Sequence, residues 1–364
     1  MSARPPSPRT RSSGSAGAAT SSRANGGRRR ATLSDVAERA GVSAVTVSRV
    51  LRRPEMVSLD LREKVEKAVR ELAYVPNQLA SALASSRTGT IGVVVPSFTN
   101  GVFGDYLRGI HDILVPAGFQ VPVLNSRYIE GAEERAIVTL LGQHPEAVIL
   151  AGIDQTPQAR RMLAQTAIPV VQTMELARDP IDINIGLSQH EAGYAATRHL
   201  IDLGHRVIGQ VSVPLDARAR QRLEGYARAM TEFGLTPLTI SIERASSFPL
   251  GASLFAELFT RAPAMTAVFC GNDNLGLGAL FECHRRGIRV PADMSIVGFN
   301  DLEFAETAFP ALTTVATPRY EMGRRSAEIL LDIVRGSGKR PAERRIDLGF
   351  RLIERASTGR PRKK

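Results

Sequence analysis

The stretch TLSDVAERAGVSAVTVSRVL, residues 32 to 51, has the spacing of two short helices joined by a tight turn. Apolar residues at helical intervals predict the first helix from Leu33 to Ala40. Gly41 supplies the permissive backbone that the turn needs, and Ser43 is a natural N-cap for a second helix from Ala44 to Leu51. An ordinary helical hairpin shares the first eight residues of this pattern. The full spacing is typical of a helix-turn-helix, a motif that places its second helix in the major groove of DNA.

The second predicted helix has an apolar face and an outward face. Val47, Val50 and Leu51 fall on the side that packs inward. The positions left to face outward are Ala44, Val45, Thr46, Ser48 and Arg49. Contacts with DNA are therefore expected from this second set.

The positive charge of the chain lies at its two ends. Of the formal net charge of +11, residues 1 to 30 contribute seven arginines without any acidic residue, and residues 360 to 364 contribute four basic residues. The body between these ends is near neutral, and basic ends suit a nucleic-acid binder because they attract phosphates without sequence preference. Residues 1 to 30, composed mainly of Ser, Gly, Ala, Pro and Arg, are predicted to be disordered. A transit peptide would need the apolar helix face that this segment lacks.

Several classes of protein are disfavoured by motifs that the 364 residues lack. No stretch is long and apolar enough to span a membrane, and no signal-peptide core precedes the first helix, so a cytoplasmic location is expected. Cys270 and Cys283 are expected to be buried, reduced thiols. Because no metal-ligand spacing, phosphate loop or nucleophile motif is present, we expect no metal, no cofactor and no catalytic residue.

A third helix is predicted from Ser58 to Ala73, with Ser58 as its cap and a stripe of apolar residues on one side. Pro76 then breaks the helix, and helical spacing resumes over residues 77 to 84. An isolated helix of this length is marginal in water. This segment is therefore a candidate linker that becomes ordered only when something holds it.

From Thr90 onward, apolar runs alternate with amphipathic helices, which predicts parallel sheets covered on both faces and divided between two lobes. The predicted strands are Ile91 to Val95, Val121 to Leu124, Ala147 to Leu150, Pro169 to Gln172, Val207 to Val211, Thr239 to Ile242, Ala267 to Cys270 and Ser295 to Phe299. Polar residues follow three of these runs, at 96 to 100, 272 to 273 and 300 to 301. Each of them can equally be a helix cap. Their recurrence at strand ends favours a cleft for a polar small molecule.

Several motifs in order resemble the LacI/GalR family of bacterial transcription repressors. They are the opening stretch, VPNQLASALA, IGVVVPSFTN, AVFCGNDNLGLGAL, VPADMSIVGFND and PALTTVATP, and together they cover roughly residues 31 to 358. LRRPEMVS, FECHRRGIRVPADM, TPRYEMGR and DLGF make the chain most similar to the gluconate-operon repressor group. The resemblance implies an N-terminal all-α helix-turn-helix domain with a hinge helix, followed by a two-lobed α/β effector domain like the periplasmic binding proteins.

For DNA, the resemblance implies that the helix beginning near Ala44 enters the major groove and that residues 77 to 84 form the hinge helix. Leu83 matches the leucine that wedges into the minor groove, and Arg49 matches an arginine able to pair with guanine. Ala44 and Val45 occupy the variable base-reading positions, where contacts with thymine methyl groups are expected. The implied DNA contacts are Thr32, Leu33, Ser43, Ala44, Val45, Thr46, Ser48, Arg49, Asn77, Ala80 and Leu83.

For the effector, the resemblance implies a binding arginine at Arg222, whose guanidinium matches a carboxylate in a two-bond fork. Many family members carry aspartate where this chain has Asn300, and the loss of that negative charge suits an anionic effector. Glu175 argues the other way, since a carboxylate facing an anion is unfavourable unless it binds hydroxyls. The implied contacts are Asn100, Phe103, Glu175, Arg222, Asn272, Asp273 and Asn300. Gluconate or a related sugar acid is the expected ligand.

The resemblance also implies a homodimer that binds a palindromic operator, with effector binding changing the lobes, melting the hinge helices and releasing DNA. The absence of a leucine heptad after Arg355 disfavours a tetramer. The expected organisation is a disordered basic tail (1–30), a DNA-binding domain (31–76), a hinge and linker (77–89), an effector and dimerisation core (90–358) and a basic tail (359–364). Within the core, lobe 1 takes about 90–188 and 317–345, and lobe 2 about 189–316.

Two other classes of protein share parts of this pattern. A periplasmic sugar-binding protein has the two-lobed core, but it needs a signal peptide and has no use for residues 31 to 84. An enzyme with an appended DNA-binding domain needs a nucleophile, metal or phosphate-loop constellation. Whether a regulator of this kind represses or activates depends on where its operator lies, and a different effector within the same family stays an alternative.

Overall fold

The computed structural model describes residues 31–52, 54–75, 87–129, 131–336 and 338–362. The chain divides into two compact units, residues 1–81 and 82–364. The predicted disordered tail and the predicted DNA contacts Asn77, Ala80 and Leu83 lie outside the described residues. Within the described part of the chain, no helix is both long and apolar enough to cross a membrane.

The described residues of the first unit form three helices, α1 (Leu33–Ala40), α2 (Ala44–Arg52) and α3 (Leu59–Glu71), and a 3₁₀ turn at Pro54–Met56. A capping box begins α1, where Thr32 and Asp35 exchange hydrogen bonds between side chain and backbone. Gly41 adopts φ +67° in the turn, and Ser43 Oγ accepts from the Thr46 amide at 3.1 Å. The predicted helix, turn and N-cap are therefore confirmed.

The three helices bury one small core, made of Val36, Ala37, Val47, Val50, Val65 and Ala68. The prediction for α3 needs correction at both ends. Ser58 stands at the N-cap position without a side-chain hydrogen bond, and the helix ends at Glu71 rather than at Ala73. Ala73 has φ +48°, outside the helical region, so the chain has already turned there.

The described residues of the second unit form twelve strands. They are β1 (Ile91–Val95), β2 (Val123–Asn125), β3 (Ala147–Leu150), β4 (Val170–Thr173), β5 (Ile183–Gly186), β6 (Ile208–Ser212), β7 (Leu238–Ser241), β8 (Ala267–Cys270), β9 (Ser295–Val297), β10 (Thr314–Ala316), β11 (Arg345–Asp347) and β12 (Arg351–Ile353). Lobe 1 has a six-stranded parallel sheet in the order β11-β5-β4-β3-β1-β2, and lobe 2 has a four-stranded parallel sheet in the order β7-β6-β8-β9. A small antiparallel pair joins β10 to β12.

Three predicted strands, β1, β3 and β8, have the predicted bounds, and the other five predicted runs are shifted or shortened by one or two residues at their ends. Four strands were not predicted: β5, β10, β11 and β12. The last two are short and have charged side chains, and they exist because they pair with β5 and β10 rather than because of an apolar run.

Helices cover both faces of each sheet, as predicted. They are α4 (Val102–Leu114), α5 (Ala132–Leu141), α6 (Pro157–Gln165), α7 (Gln189–Asp202), α8 (Ala217–Glu232), α9 (Phe248–Arg261), α10 (Asp273–Arg285), α11 (Glu303–Thr307) and α12 (Arg319–Arg335). In lobe 1, Val93 of β1 packs into the core below α4 and α12, whereas Val94 packs into the separate core below α5 and α6. Alternate strand residues thus fill two layers.

The helices pack closely in three pairs, α4 with α12, α7 with α8, and α9 with α10, and glycines stand at each crossing. In the α7–α8 pair, a Cβ added at Gly193 would overlap the backbone of Arg222, and one added at Gly225 would overlap the carbonyl oxygen of His190. The backbones therefore touch, which fixes the height of α8 above its sheet.

The segment predicted as a basic tail, 359–364, includes residues that contact lobe 2. The Gly359 amide donates to Ser295 Oγ at 3.1 Å, and its carbonyl oxygen lies 2.8 Å from Nε2 of the buried His205. Arg362 forms an ion pair with Asp293 at 3.4 Å. Gly359 therefore contacts lobe 2 through its backbone, and Arg362 contacts it through its side chain.

Candidate functional site

A cleft lies between the two lobes at the carboxyl ends of the parallel strands, where ligands bind in open α/β sheets. Part of its space is open to solvent. Its polar lining is Ser97, Thr99, Asn100, Tyr128, Gln189, Asp216, Arg218, Arg222, Ser246, Asn272, Asn300, Thr317 and Arg319.

Arg222 is the strongest positive feature of this cleft. It is 9% exposed, its guanidinium stacks over the Phe299 ring at 4.5 Å, and Nη1 donates to Gln189 Oε1 at 2.5 Å. Nε is buried and has no hydrogen-bond partner, and Arg222 forms no ion pair with any carboxylate of the described residues. Burial lowers the pKa of Arg222 to about 10, so the group still carries its charge at neutral pH.

Arg218, one helical turn before Arg222, has its charge compensated. It forms a buried ion pair with Asp216, whose other carboxylate oxygen caps α8 by accepting from the Ala219 amide at 3.0 Å. Burial acts to raise the pKa of Asp216, but the charge of Arg218 outweighs it, so the pKa of Asp216 is lowered. The cleft thus contains one buried arginine with a carboxylate partner and one without.

Glu175 was predicted to contact the effector, but its side chain is 5% exposed and lies outside the cleft lining. Its carboxylate accepts from the amides of Leu176 at 2.8 Å and Gln189 at 3.3 Å. Burial raises the pKa of Glu175 to about 7, while the backbone hydrogen bonds and then the charges of Arg222 and Arg218 act to lower it. Glu175 is therefore held by backbone amides and interacts electrostatically with Arg222 instead of lining the cleft.

Asn100, Asn272 and Asn300, all predicted effector contacts, do line the cleft. Asn272 also caps α10, since its Oδ1 accepts from the Leu275 amide at 3.1 Å. Asn300 has φ +111°, an unusual conformation for a residue with a side chain. Asn272 therefore caps α10 and lines the cleft at the same time.

Asp273 and Phe103 were also predicted effector contacts, and the structure places both away from the cleft. Asp273 is fully buried, where it accepts from Thr314 Oγ1 at 2.6 Å and from the Leu302 amide at 2.8 Å, and burial raises its pKa to about 6. Phe103 is 1% exposed in the lobe 1 core, with Arg218 above its ring at 5.3 Å. Both side chains therefore stabilise the fold.

The cleft includes charged residues that were not predicted: Asp216, Arg218 and Arg319. A signal for Arg218 was present, because residues four apart share a helix face and Arg222 was already a candidate. Arg319 had no such signal. Its place in the cleft depends on how the chain crosses between the lobes.

In the first unit, the candidate DNA-binding face of α2 is partly as predicted. Val45 is 67% exposed and Arg49 is exposed, whereas Thr46 and Ser48 are half-buried. Ala44, expected to face outward, is half-buried and packs against the core together with Leu33. Ser43, by contrast, forms the N-cap, and its hydroxyl lies 2.9 Å from that of Thr46.

A profile described as "Bacterial regulatory proteins, lacI family" matches residues 32–77, and one described as "Periplasmic binding protein-like domain" matches residues 197–358. The HTH-type transcriptional regulator GntR of Pseudomonas aeruginosa is 40% identical over 331 residues, 90% of this chain and 96% of that protein. Escherichia coli GntR is 38% identical over 325 residues, 89% of this chain and 98% of that protein.

Solved structures of transcriptional regulators are also similar to this chain. The transcription regulator GntR from Chromobacterium violaceum has a TM-score of 0.71 at 40% identity and covers 74% of this chain and 99% of its own. The lac repressor dimer bound to operator and the anti-inducer ONPF has a TM-score of 0.76 at 30% identity, over 91% of this chain and 100% of its own. Similarity thus extends over both units.

Proposed function

Since the chain belongs to the LacI family of bacterial transcriptional regulators, we propose that it represses a carbohydrate-catabolism operon and that a sugar acid, gluconate first, releases it from DNA. The observation that carries the effector class is Arg222, a buried guanidinium that faces the cleft without a carboxylate partner. A buried charge is costly until it is paired.

The charges around Arg222 favour an anion over a neutral sugar. A carboxylate provides two parallel acceptors for a guanidinium, whereas a hydroxyl group leaves the charge unpaired. Arg218 is already paired with Asp216, so one cation is left for the ligand. The hydroxyl and amide groups of Ser97, Thr99 and Asn100 on the opposite lobe suit the polyol part of a sugar acid.

For DNA, we propose that α2 reads the operator through its exposed residues Val45 and Arg49. The Val45 side chain suits thymine methyl groups, and Arg49 suits guanine. Ser43, Thr46 and Ser48 belong to the surface that positions the helix on phosphates. Leu83 of the proposed hinge helix supplies the wedge in the minor groove.

The proposed regulator is a homodimer on a palindromic operator. Phe309 is 87% exposed and Phe281 52% exposed on lobe 2, and Phe248 contacts the rings of Phe281 and Phe304 edge to face at 6.4 and 5.3 Å. Exposed aromatic side chains of this kind support burial by a second copy of the chain. Two copies match the two half-sites of a palindrome.

In the proposed switch, gluconate favours a lobe arrangement that does not hold the two hinge segments together. A ligand shifts such an equilibrium only by its difference in affinity for the two states, and a change from 1:99 to 99:1 needs about 5.5 kcal/mol. Because both lobes contribute polar groups to the cleft, a ligand can bind one arrangement of the lobes more tightly than the other.

The experiment that tests this function is a fluorescence-anisotropy titration of a labelled palindromic operator taken from the promoter region beside the gene. We expect two chains per duplex and release by gluconate, with no release by glucose, which matches gluconate in size but is neutral. Gluconate should also raise the thermal midpoint of the free protein, because a ligand of the native state stabilises it. Release by glucose alone, or no response to any sugar acid, would contradict the proposed effector class.

Arg49→Ala is expected to weaken operator binding by about 1 to 2 kcal/mol, because it removes a bidentate contact with one base. Binding to random DNA of equal length should change little, since that binding comes from phosphate contacts. Anisotropy titrations on both duplexes at one salt concentration measure the difference. Equal losses on the two duplexes would refute a base-reading role for Arg49.

Gluconate affinity is expected to fall as pH rises from 7 to 8, by a few-fold and by less than tenfold per pH unit. The pKa of Glu175 is about 7 in the free cleft, and an anion beside Arg222 raises it further. Gluconate binding therefore takes up a proton, which becomes less favourable as pH rises. Titration calorimetry in buffers of different ionisation enthalpy measures that uptake. Glu175→Gln should remove the pH dependence; if the variant keeps it, Glu175 is not its source.

A further inference from the structure

Arg319 connects the two lobes at the edge of the cleft. It begins α12, which packs against α4 in lobe 1, and Nη2 donates to Asp105 Oδ2 of α4 at 3.0 Å. The same guanidinium donates to two carbonyl oxygens of lobe 2, that of Asn300 and, at 3.2 Å, that of Asp301. One side chain thus bonds to both lobes.

The two lobe 2 acceptors have unusual backbones. Asn300 has φ +111° and Asp301 has φ +56°, although neither is glycine. Such conformations cost about 1 to 3 kcal/mol each and persist only where surrounding contacts hold them. The hydrogen bonds from Arg319 help to stabilise these two conformations. Two other contacts contribute: the ion pair between Arg355 and Asp301 at 2.7 Å, and the hydrogen bond from the Asn300 amide to the Val315 carbonyl at 2.8 Å.

One donor of Arg319 is not used. Its side chain is 10% exposed and lines the cleft, and Nε is buried without a hydrogen-bond partner. Arg222, contributed by lobe 2, has an unpartnered Nε in the same cleft. Two arginines that line the cleft from different elements thus each have a buried Nε–H without a hydrogen-bond partner.

We propose that Arg319 is a latch between the lobes, and that an anionic effector held by Arg222 is sensed through the free Nε–H of Arg319. This inference rests on the proposed function and adds the residue that transmits ligand occupancy. Because Arg319 is bonded to both lobes, a ligand on its Nε–H favours one lobe arrangement over the other. Arg222 then supplies most of the affinity, and Arg319 supplies the coupling between effector and DNA.

The test variant is Arg319→Lys, which keeps the positive charge but cannot donate along several edges at once. Without any effector, amide hydrogen exchange in residues 299–302 and 313–316 is expected to become at least about tenfold faster, because the lobe 2 backbone loses its hold. With saturating gluconate, the ratio of operator dissociation constants with and without gluconate should fall at least about fivefold towards one. Gluconate affinity itself should drop by no more than about tenfold, as expected for one hydrogen bond.

Two further variants make the result interpretable. Asp105→Asn removes the lobe 1 partner and leaves Arg319 intact, and it should reduce the coupling ratio in the same direction. Arg325→Lys, an exposed arginine of α12 that pairs with Glu328 at 3.6 Å, is the matched control and should behave as wild type. Wild-type exchange and wild-type coupling in both Arg319→Lys and Asp105→Asn would overturn the latch.

Different results would contradict the latch and the proposed function. If gluconate neither stabilises the wild-type protein nor releases it from DNA, the sugar-acid proposal fails. The exchange rates measured without effector still decide whether Arg319 holds the lobes together, because they involve no ligand. If gluconate acts on the wild type, and both exchange and coupling are unchanged in Arg319→Lys and in Asp105→Asn, only the latch fails.

Discussion

Arg222→Gln is expected to leave operator binding intact and to lower gluconate affinity about 100-fold or more. The variant keeps a polar side chain of similar length but loses the charge and the fork of donors. Two charge-assisted hydrogen bonds are removed at once, and each contributes roughly 1.5 to 3 kcal/mol. The buried setting of Arg222 favours a large effect, because water does not replace the lost partner there.

Calorimetry on the free protein and anisotropy on the operator complex measure the two sides of this prediction. Arg228→Gln is the matched control, since Arg228 lies on the same helix but is 46% exposed and pairs with Glu191 at 2.7 Å. It should bind gluconate and respond to it as wild type does. If Arg222→Gln binds gluconate with wild-type affinity, the ligand does not meet this arginine and the charge argument for a sugar acid is wrong.

Local spacing was sufficient to predict α1, the turn and the start of α2, because each of these signals acts within a few residues. The turn at Gly41 and the cap at Ser43 need no information from distant parts of the chain. Strands β1, β3 and β8 were predicted with the observed bounds for a related reason: each is a continuous apolar run buried on both faces. Strands β11 and β12 were missed because only their pairing defines them.

The cleft was predictable in position but not in detail. Polar residues after strands pointed to Asn100, Asn272 and Asn300, and these line it. The neighbouring Asp273 turns into the core because the first residue of α10 faces Thr314 and the Leu302 amide, a direction that one sequence does not reveal. Arg319 was missed for a different reason, since it reaches the cleft only through a chain crossing between lobes.

Gly193→Ala is expected to lower the stability of the second unit by about 3 kcal/mol and to weaken gluconate binding at the same time. A Cβ at Gly193 would overlap the backbone of Arg222, with its Cα only 2.9 Å away, so α8 must move off α7. The clash involves two backbones, which cannot rotate away as a flexible side chain can. Arg222 and its stacking contact with Phe299 would shift with the helix.

Thermal unfolding measures the first effect, and a fall in midpoint of about 6 °C or more is expected for a unit of this size. Gly104→Ala is the control, because Gly104 lies in α4 with nothing within 4 Å of an added Cβ. That change should leave the midpoint equal or slightly raised, since alanine favours a helix over glycine by up to about 1 kcal/mol. A normal midpoint in Gly193→Ala would mean that the two helices have room to separate. Close packing of α7 against α8 would then not be what positions Arg222 in the cleft.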